Sequence, residues 1–358
     1  MKKLIILLTI VVILPLFTLV SYADDEAEDY ISDFNNAIPE QMGDLKTDTD
    51  SLLSASSPRS LFTEIWRVIG SEGGAVSSFF LRLIGCAVLL SLSSLCHERM
   101  SRWVEVSVGI ICSLLIFEPI ERLFCDVSAT LSSIGDFFSA LIPIAIGITA
   151  LGGAPTSAGV QGTGMYTVLS AVGGVGRQIF LSVSAFGLAM SLLSALGHSG
   201  VESITKGVKQ LFSRVTGIFT ALLTAALSLQ TIIASAADSA AMRAAKYAAS
   251  GLIPIVGSTV AGAISTLTAG MSYARGVVGG GAIVVIVYLA LSPLVLLLMY
   301  RASLSLAIIF TNFIGVSGGS KIFSSYRASL DMIITVYSLS ALVYLFEIVL
   351  FIRIGDSL

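Results

Sequence analysis

The sequence predicts an all-α, polytopic helical membrane protein with about seven transmembrane helices, within a range of roughly six to nine. Of the 358 residues, 55% are hydrophobic and only 12% are charged, and the mean hydropathy is +0.93. Soluble domains carry roughly 25% charged residues, so this chain has too little charge to cover a water-facing surface. Its apolar runs are continuous, whereas a transmembrane barrel shows alternating segments of ~10 residues. The net charge of −3 offers no basic field, and we expect no nucleic-acid partner.

The amino terminus has the pattern of a secretory signal. Two lysines precede an apolar run from Leu4 to Val20, and the small residues Ser21 and Ala23 follow it. We therefore predict that residues 1–23 form a signal peptide that is cleaved after Ala23. The alternative is an uncleaved first span, because the run just reaches spanning length.

Residues 24–74 are predicted to form an acidic extracytoplasmic segment. Ten acidic residues and one lysine lie between Asp24 and Asp50. Residues 58–69 place apolar side chains on one helical face, and Gly70 is expected to end that helix. Such a helix lies flat in the membrane interface, and the alternative is a docking helix for an extracytoplasmic partner.

Residues 75–358 are predicted to form a multi-pass helical membrane domain in contact with the lipid bilayer. A spanning helix needs about 20 apolar residues. The run 164–196 is too long for a single span, the run 303–318 is short, and the run 253–272 is weakly apolar. The runs are 75–96, 104–124, 132–152, 164–196, 216–236, 253–272, 280–300, 303–318 and 332–352.

Loop charges give an orientation for the first spans. The loops at 96–102 and 197–214 are basic and are expected in the cytoplasm, whereas the loop at 118–126 is acidic and is expected outside. The run 164–196 must then enter and leave the membrane on the same side. We therefore predict two short helices there, with a break at 173–177.

Ionisable residues within the apolar runs are few, because charge is costly in lipid. Arg82 and Glu347 lie close to span ends, which favours snorkelling to the interface over a place in the bundle interior. Arg177 lies at the predicted glycine-rich break and is the candidate pathway residue.

The basic loop contains an apolar stripe at helical spacing. Its members are Val201, Ile204, Val208, Leu211 and Val215. The lysines lie off this stripe, which indicates a helix on the cytoplasmic leaflet, and a platform for a cytoplasmic partner is the alternative. The later spans are rich in alanine and glycine, which indicates tight helix packing within the chain or between copies in a homo-oligomer.

No residue pattern of an enzyme is present in the sequence. His97 and His198 are far apart, and no HExxH, P-loop or GxSxG motif occurs. We therefore expect no catalytic residues, no cofactor and no metal site.

The most distinctive stretch lies between two apolar runs. Asp238 is followed by Arg243 and Lys246, and then by a Gly-x-x-Pro sequence that ends at Pro254. A charged helix that ends in glycine and proline is typical of a re-entrant or broken membrane helix, and a plain exposed loop helix is the alternative. We expect Asp238 to pair with Arg243 or Lys246.

This stretch resembles the core signature of the stage III sporulation protein AE family, and the resemblance extends over nearly the whole chain. The signature residues are Gln230, Asp238, Arg243, Lys246, Pro254 and Gly257. The resemblance implies a role in endospore formation, as a multi-pass part of the stage III A complex in the mother-cell membrane that surrounds the forespore.

The resemblance also implies partners and a function. The partners are the other stage III A proteins, including the secretion-ATPase-like AA protein, and stage II sporulation protein Q from the forespore side. Together they are thought to form a secretion-like channel that sustains forespore development, in which this chain is a non-enzymatic membrane component. The alternative is a stand-alone secondary transporter for a small solute, but we find no related repeats in the two halves of the chain.

Overall fold

The computed structural model describes residues 28–39, 58–94, 98–196, 200–252, 257–315 and 317–354. In these ranges every regular element is an α-helix, which confirms the predicted all-α class. The helices are α1 (Glu28–Ala37), α2 (Pro58–Ser94), α3 (Glu98–Leu151), α4 (Pro155–Ala195), α5 (Val201–Leu252), α6 (Gly257–Ile314) and α7 (Ser317–Arg353). Six of them, α2 to α7, are long and apolar enough to cross a membrane. This number lies at the lower limit of the predicted range.

Helix α3 joins two runs that we predicted as separate spans. It has 54 residues and includes both 104–124 and 132–152. The segment 118–126 was predicted as an external loop, but it is helical, so the loop prediction is wrong. Its charges are compatible with a helix because Arg122 pairs with Glu118 one turn away, at 2.5 Å on the exposed surface.

Helix α2 also extends beyond its predicted end. It begins at Pro58 as expected but runs through Gly70 to Ser94, so the amphipathic segment and the first span form one element. A glycine in a helix costs only about 1 kcal/mol relative to alanine, which is too little to end a helix that continues into apolar sequence.

Helix α4 runs without interruption from Pro155 to Ala195, so the predicted break at 173–177 is wrong. The reason is the same as in α2, since the glycines there keep helical backbone. The side chain of Arg177 lies outside the described part of the chain, and its assignment as a pathway residue stays a prediction.

Helices α5 and α6 each combine segments that we predicted as separate. The amphipathic segment at 201–215 and the span at 216–236 both belong to α5. The run 280–300 and most of the run 303–318 belong to α6, which ends at Ile314. The predicted broken helix is only partly described, because α5 ends at Leu252 and α6 begins at Gly257, and Pro254 between them lies outside the described residues.

Helix α7 lies at the centre of the bundle, since it packs against all five other long helices. Its aromatic side chains fill the core, and the Tyr344 ring packs tilted against Phe138 of α3 with 4.7 Å between ring centroids. The short helix α1 packs against α3 and α6, where Phe34 meets Phe137 edge to face. Helix α5 is the most peripheral of the six, and its predicted apolar stripe is exposed apart from Val201.

Contacts between helix termini define two ends of the bundle. At the first end, the last turns of α4 meet the start of α7, where the hydroxyls of Ser194 and Ser325 lie 3.4 Å apart. At the second end, the first half of α6 meets the end of α7, where the Arg275 guanidinium lies 6.0 Å from the Phe351 ring centroid. Helices α4 and α6 therefore both run antiparallel to α7.

Candidate functional site

The signature residue Asp238 forms a contact between helices at the second end of the bundle. It lies on α5 and is only 2% exposed. One carboxylate oxygen accepts a hydrogen bond from the backbone N–H of Thr156 at 3.1 Å, and the other accepts from the N–H of Ser157 at 2.6 Å. Asp238 therefore caps the amino terminus of α4 from another helix.

The local sequence explains why α4 needs this external cap. The first backbone N–H groups of a helix have no partner within the helix. Ala154 occupies the N-cap position and has no side chain that could accept from them, and Pro155 opens the first turn. The turn before it depends on Gly153, whose φ of 87° lies in the left-handed region. The two N–H groups and the positive end of the helix dipole thus stabilise the buried carboxylate.

The expected ion pair between Asp238 and Arg243 is not formed among the described residues, and this prediction is wrong for that partner. Both oxygens of the carboxylate point to α4, and the Arg243 side chain is exposed on α5. Gln230 is exposed as well. The side chain of Lys246 lies outside the part of the chain that the structure describes, as do Pro254 and the surroundings of Gly257.

Charged residues that the sequence analysis did not single out meet inside the bundle. Asp331 of α7 accepts hydrogen bonds from Lys209 of α5 and Arg301 of α6. The Asp331 side chain is 10% exposed, so this cluster joins three helices in a mostly buried position. Arg301 separates two apolar runs, and Asp331 directly precedes another. These positions beside apolar runs are the signal in the sequence that could have identified both residues.

Glu347 also differs from its prediction. Snorkelling to the interface was favoured for this residue, but its side chain is 2% exposed and lies inside the bundle, so that prediction is wrong. The carboxyl lies against Gly164 of α4, where any larger residue would occupy its space. Helix α7 is central and not lipid-facing at this position, which distance from a span end alone does not reveal.

The comparison with protein families identifies the chain. No curated protein and no solved structure matches it significantly. The family model for stage III sporulation protein AE matches residues 37–355, which includes all six long helices and the signature around Asp238. The chain is therefore a membrane protein with a role in sporulation. It belongs to the stage III sporulation protein AE family.

Proposed function

We propose that the chain is a non-enzymatic integral membrane component of the channel between mother cell and forespore. The observation that supports this most is the family match over residues 37–355, which covers all six long helices. Five apolar helices around the central apolar helix α7 provide a membrane-embedded body for such an assembly.

We further propose its location and partners. The chain resides in the mother-cell membrane that surrounds the forespore, and it assembles with other stage III A proteins and with stage II sporulation protein Q. The sequence has no P-loop motif. The AA protein, which resembles secretion ATPases, would therefore supply the energy for transport.

The buried and exposed positions of the signature residues indicate that these residues have different roles. Asp238 is buried and holds α5 to the start of α4, whereas Arg243 and Gln230 are exposed on the same helix. We propose that Asp238 fixes the position of the signature segment and that Arg243 and Gln230 contact another subunit. The exposed guanidinium of Arg243 is available to an acidic group of another subunit.

The domain organisation remains part of this proposal. Residues 1–23 would be a signal peptide, residues 24–74 an acidic extracytoplasmic segment, and residues 75–358 the membrane domain. Export of the acidic segment would place it in the space between the two membranes, where it can meet the forespore protein.

Affinity purification of the tagged full-length chain from sporulating cells tests the proposal. We expect the other stage III A proteins to co-purify, and Arg243→Ala to reduce their recovery without reducing the amount of inserted chain. Glu202→Ala is the matched control, since Glu202 is an exposed acid on the same helix and pairs only one turn away with Lys206. Recovery of the wild-type chain without any stage III A protein would contradict the proposal.

A further inference from the structure

Glu347 is a buried carboxyl group in the centre of the bundle that the proposed function does not use. Its side chain is 2% exposed, and Oε2 has no hydrogen-bond partner among the described residues. Oε1 lies where α4 carries no side chain, 2.8 Å from the position that a Cβ on Gly164 would occupy. The glycine at 164 therefore makes the space in which the carboxyl sits.

The neighbouring polar groups are incompletely paired as well. Gln161 lies one turn before Gly164, is 2% exposed, and accepts a hydrogen bond from Thr149 at 3.1 Å. Its amide nitrogen Nε2 has no partner in the described ranges. A buried donor on this face of α4 and a buried acceptor on α7 are thus both unsatisfied, although such groups are normally paired.

A route from Glu347 to the surroundings begins one turn away on α7. The hydroxyl of Tyr344 is buried and has no partner in the part of the chain that is described. Tyr344 lines a cavity of about 390 Å³ together with Ser132, Asp136 and Ser139 of α3. Asp136 is exposed, so this cavity is open to the outside of the bundle.

The charges around Glu347 provide no counter-ion for it in the described structure. From α6, Arg275 lies over the Phe351 ring, one turn beyond Glu347, and forms no described ion pair with it. Lys209 and Arg301 are both held by Asp331, about four turns away along α7. From α5, the closest side chain at this position is apolar, since Leu227 packs against Gly164 beside the carboxyl. An ionised carboxylate without a partner is very unfavourable in such surroundings, which leaves the protonated acid.

We propose that Glu347 is a proton-binding site inside the membrane domain. At rest the carboxyl is neutral and holds one proton. When that proton leaves, it passes to the Tyr344 hydroxyl, which gives its own proton to water in the cavity at Asp136, and the reverse transfer restores both groups. The Gln161 amide is the donor that we assign to the carboxylate formed in between. This inference does not depend on the proposed channel function.

Infrared spectroscopy of the full-length protein in lipid vesicles tests this site. At neutral pH we expect the C=O band of a protonated carboxylic acid, and we expect this band to be lost in Glu347→Gln. Transfer to heavy water should shift the band, because the proton exchanges, and Tyr344→Phe should slow that shift while the band remains. Glu202→Gln, which changes an exposed acid, should leave the band intact and serves as the matched control.

The outcomes separate the alternatives. Absence of the band in the wild-type protein means that the carboxyl is ionised and holds a cation, which overturns the proposal. A band that does not shift in heavy water means that the Glu347 proton never leaves the site. That result contradicts the proposed proton exchange with water. Should Glu347→Gln fail to fold, Glu347→Asp keeps the acid and must move the band, and an unmoved band would assign it to another residue.

Discussion

The Asp238 carboxylate and the Ser157 backbone N–H are separated by 81 residues in the sequence and by 2.6 Å in space. This bond ties the family signature on α5 to the turn between α3 and α4. The signature is therefore coupled to the start of α4, which carries no charge and no motif of its own. A substitution on either side of this contact is expected to affect the stability of the other side.

Loss of the Asp238 carboxylate should destabilise the start of α4. Replacement of a capping residue by alanine costs about 1 kcal/mol, and here the two N–H groups are also left buried without a partner. We expect Asp238→Ala to lower the midpoint of thermal unfolding of the detergent-purified protein, and Asp238→Asn to lower it less because its amide oxygen still accepts one bond. In cells, Asp238→Ala should block sporulation after engulfment. Equal stability of the alanine variant and the wild type would refute the capping role.

The turn before α4 should tolerate no side chain at Gly153. Its φ of 87° costs a residue with a Cβ about 1–2 kcal/mol, so Gly153→Ala should be destabilised by that amount. Gly159 in the helix that follows, α4, is the matched control, since a Cβ there meets nothing within 4 Å. Gly159→Ala should be neutral or stabilising by up to about 1 kcal/mol. Chemical unfolding of both variants provides the comparison, and similar effects in the two would contradict the assignment.

The Asp331 cluster should contribute more to stability than the exposed ion pairs do. Exposed pairs are worth about 0.2–1 kcal/mol, and Lys206 with Glu202 is such a pair on the same helix as Lys209. In double-mutant cycles we expect a coupling free energy above about 1 kcal/mol between Lys209 and Asp331, and a smaller one for the exposed pair. Equal coupling in both cycles would show that burial of Asp331 adds nothing.

The continuity of α3 changes the expected orientation of the α3–α4 turn. With 104–124 and 132–152 as separate spans, this turn would lie in the cytoplasm, whereas a single crossing by α3 exports it. A Leu151→Cys variant, in a background without Cys96 and Cys125, should therefore react with an impermeant thiol reagent from outside, since Leu151 is exposed. Lys206→Cys should remain protected in intact cells. A protected Leu151→Cys would restore the separate spans.

The predicted signal peptide is tested by the mature amino terminus. We expect sequencing of the purified chain to begin at Asp24, because Ser21 and Ala23 precede it at the positions that signal peptidase requires. A chain that retains the run from Leu4 to Val20 would carry an additional span, with the acidic segment still exported.

The fold class and the family could be predicted from the sequence, but helix boundaries could not. Hydropathy and the long signature are local properties, and they are independent of how the helices pack. We predicted a loop at 118–126 because of its charges, yet Glu118 and Arg122 form an ion pair within one helical turn. A single crossing by α3, which the Leu151→Cys variant tests, would also remove the reason for the predicted break at 173–177, which we introduced to keep the basic loop in the cytoplasm.

The partners of the charged residues depend on tertiary structure. The spacing of Asp238, Arg243 and Lys246 indicated a pair within one helix, because sequence shows only neighbours along the chain. The partners of the carboxylate among the described residues are backbone N–H groups of a different helix, which no residue type reveals, and the pair with Lys246 stays a prediction. Asp331 meets Lys209 and Arg301 from two other helices in the same way.

The central position of α7 has a consequence for biogenesis. The helix packs against α2, α3, α4, α5 and α6, yet it follows all of them in the chain. During synthesis the first five long helices enter the membrane before α7, the helix that contacts all of them. Lys209 and Arg301 therefore lack their Asp331 partner until α7 is made. Closure of the bundle is then a single late event, so a ribosome that stalls before α7 releases five helices that a membrane protease can recognise as unfinished.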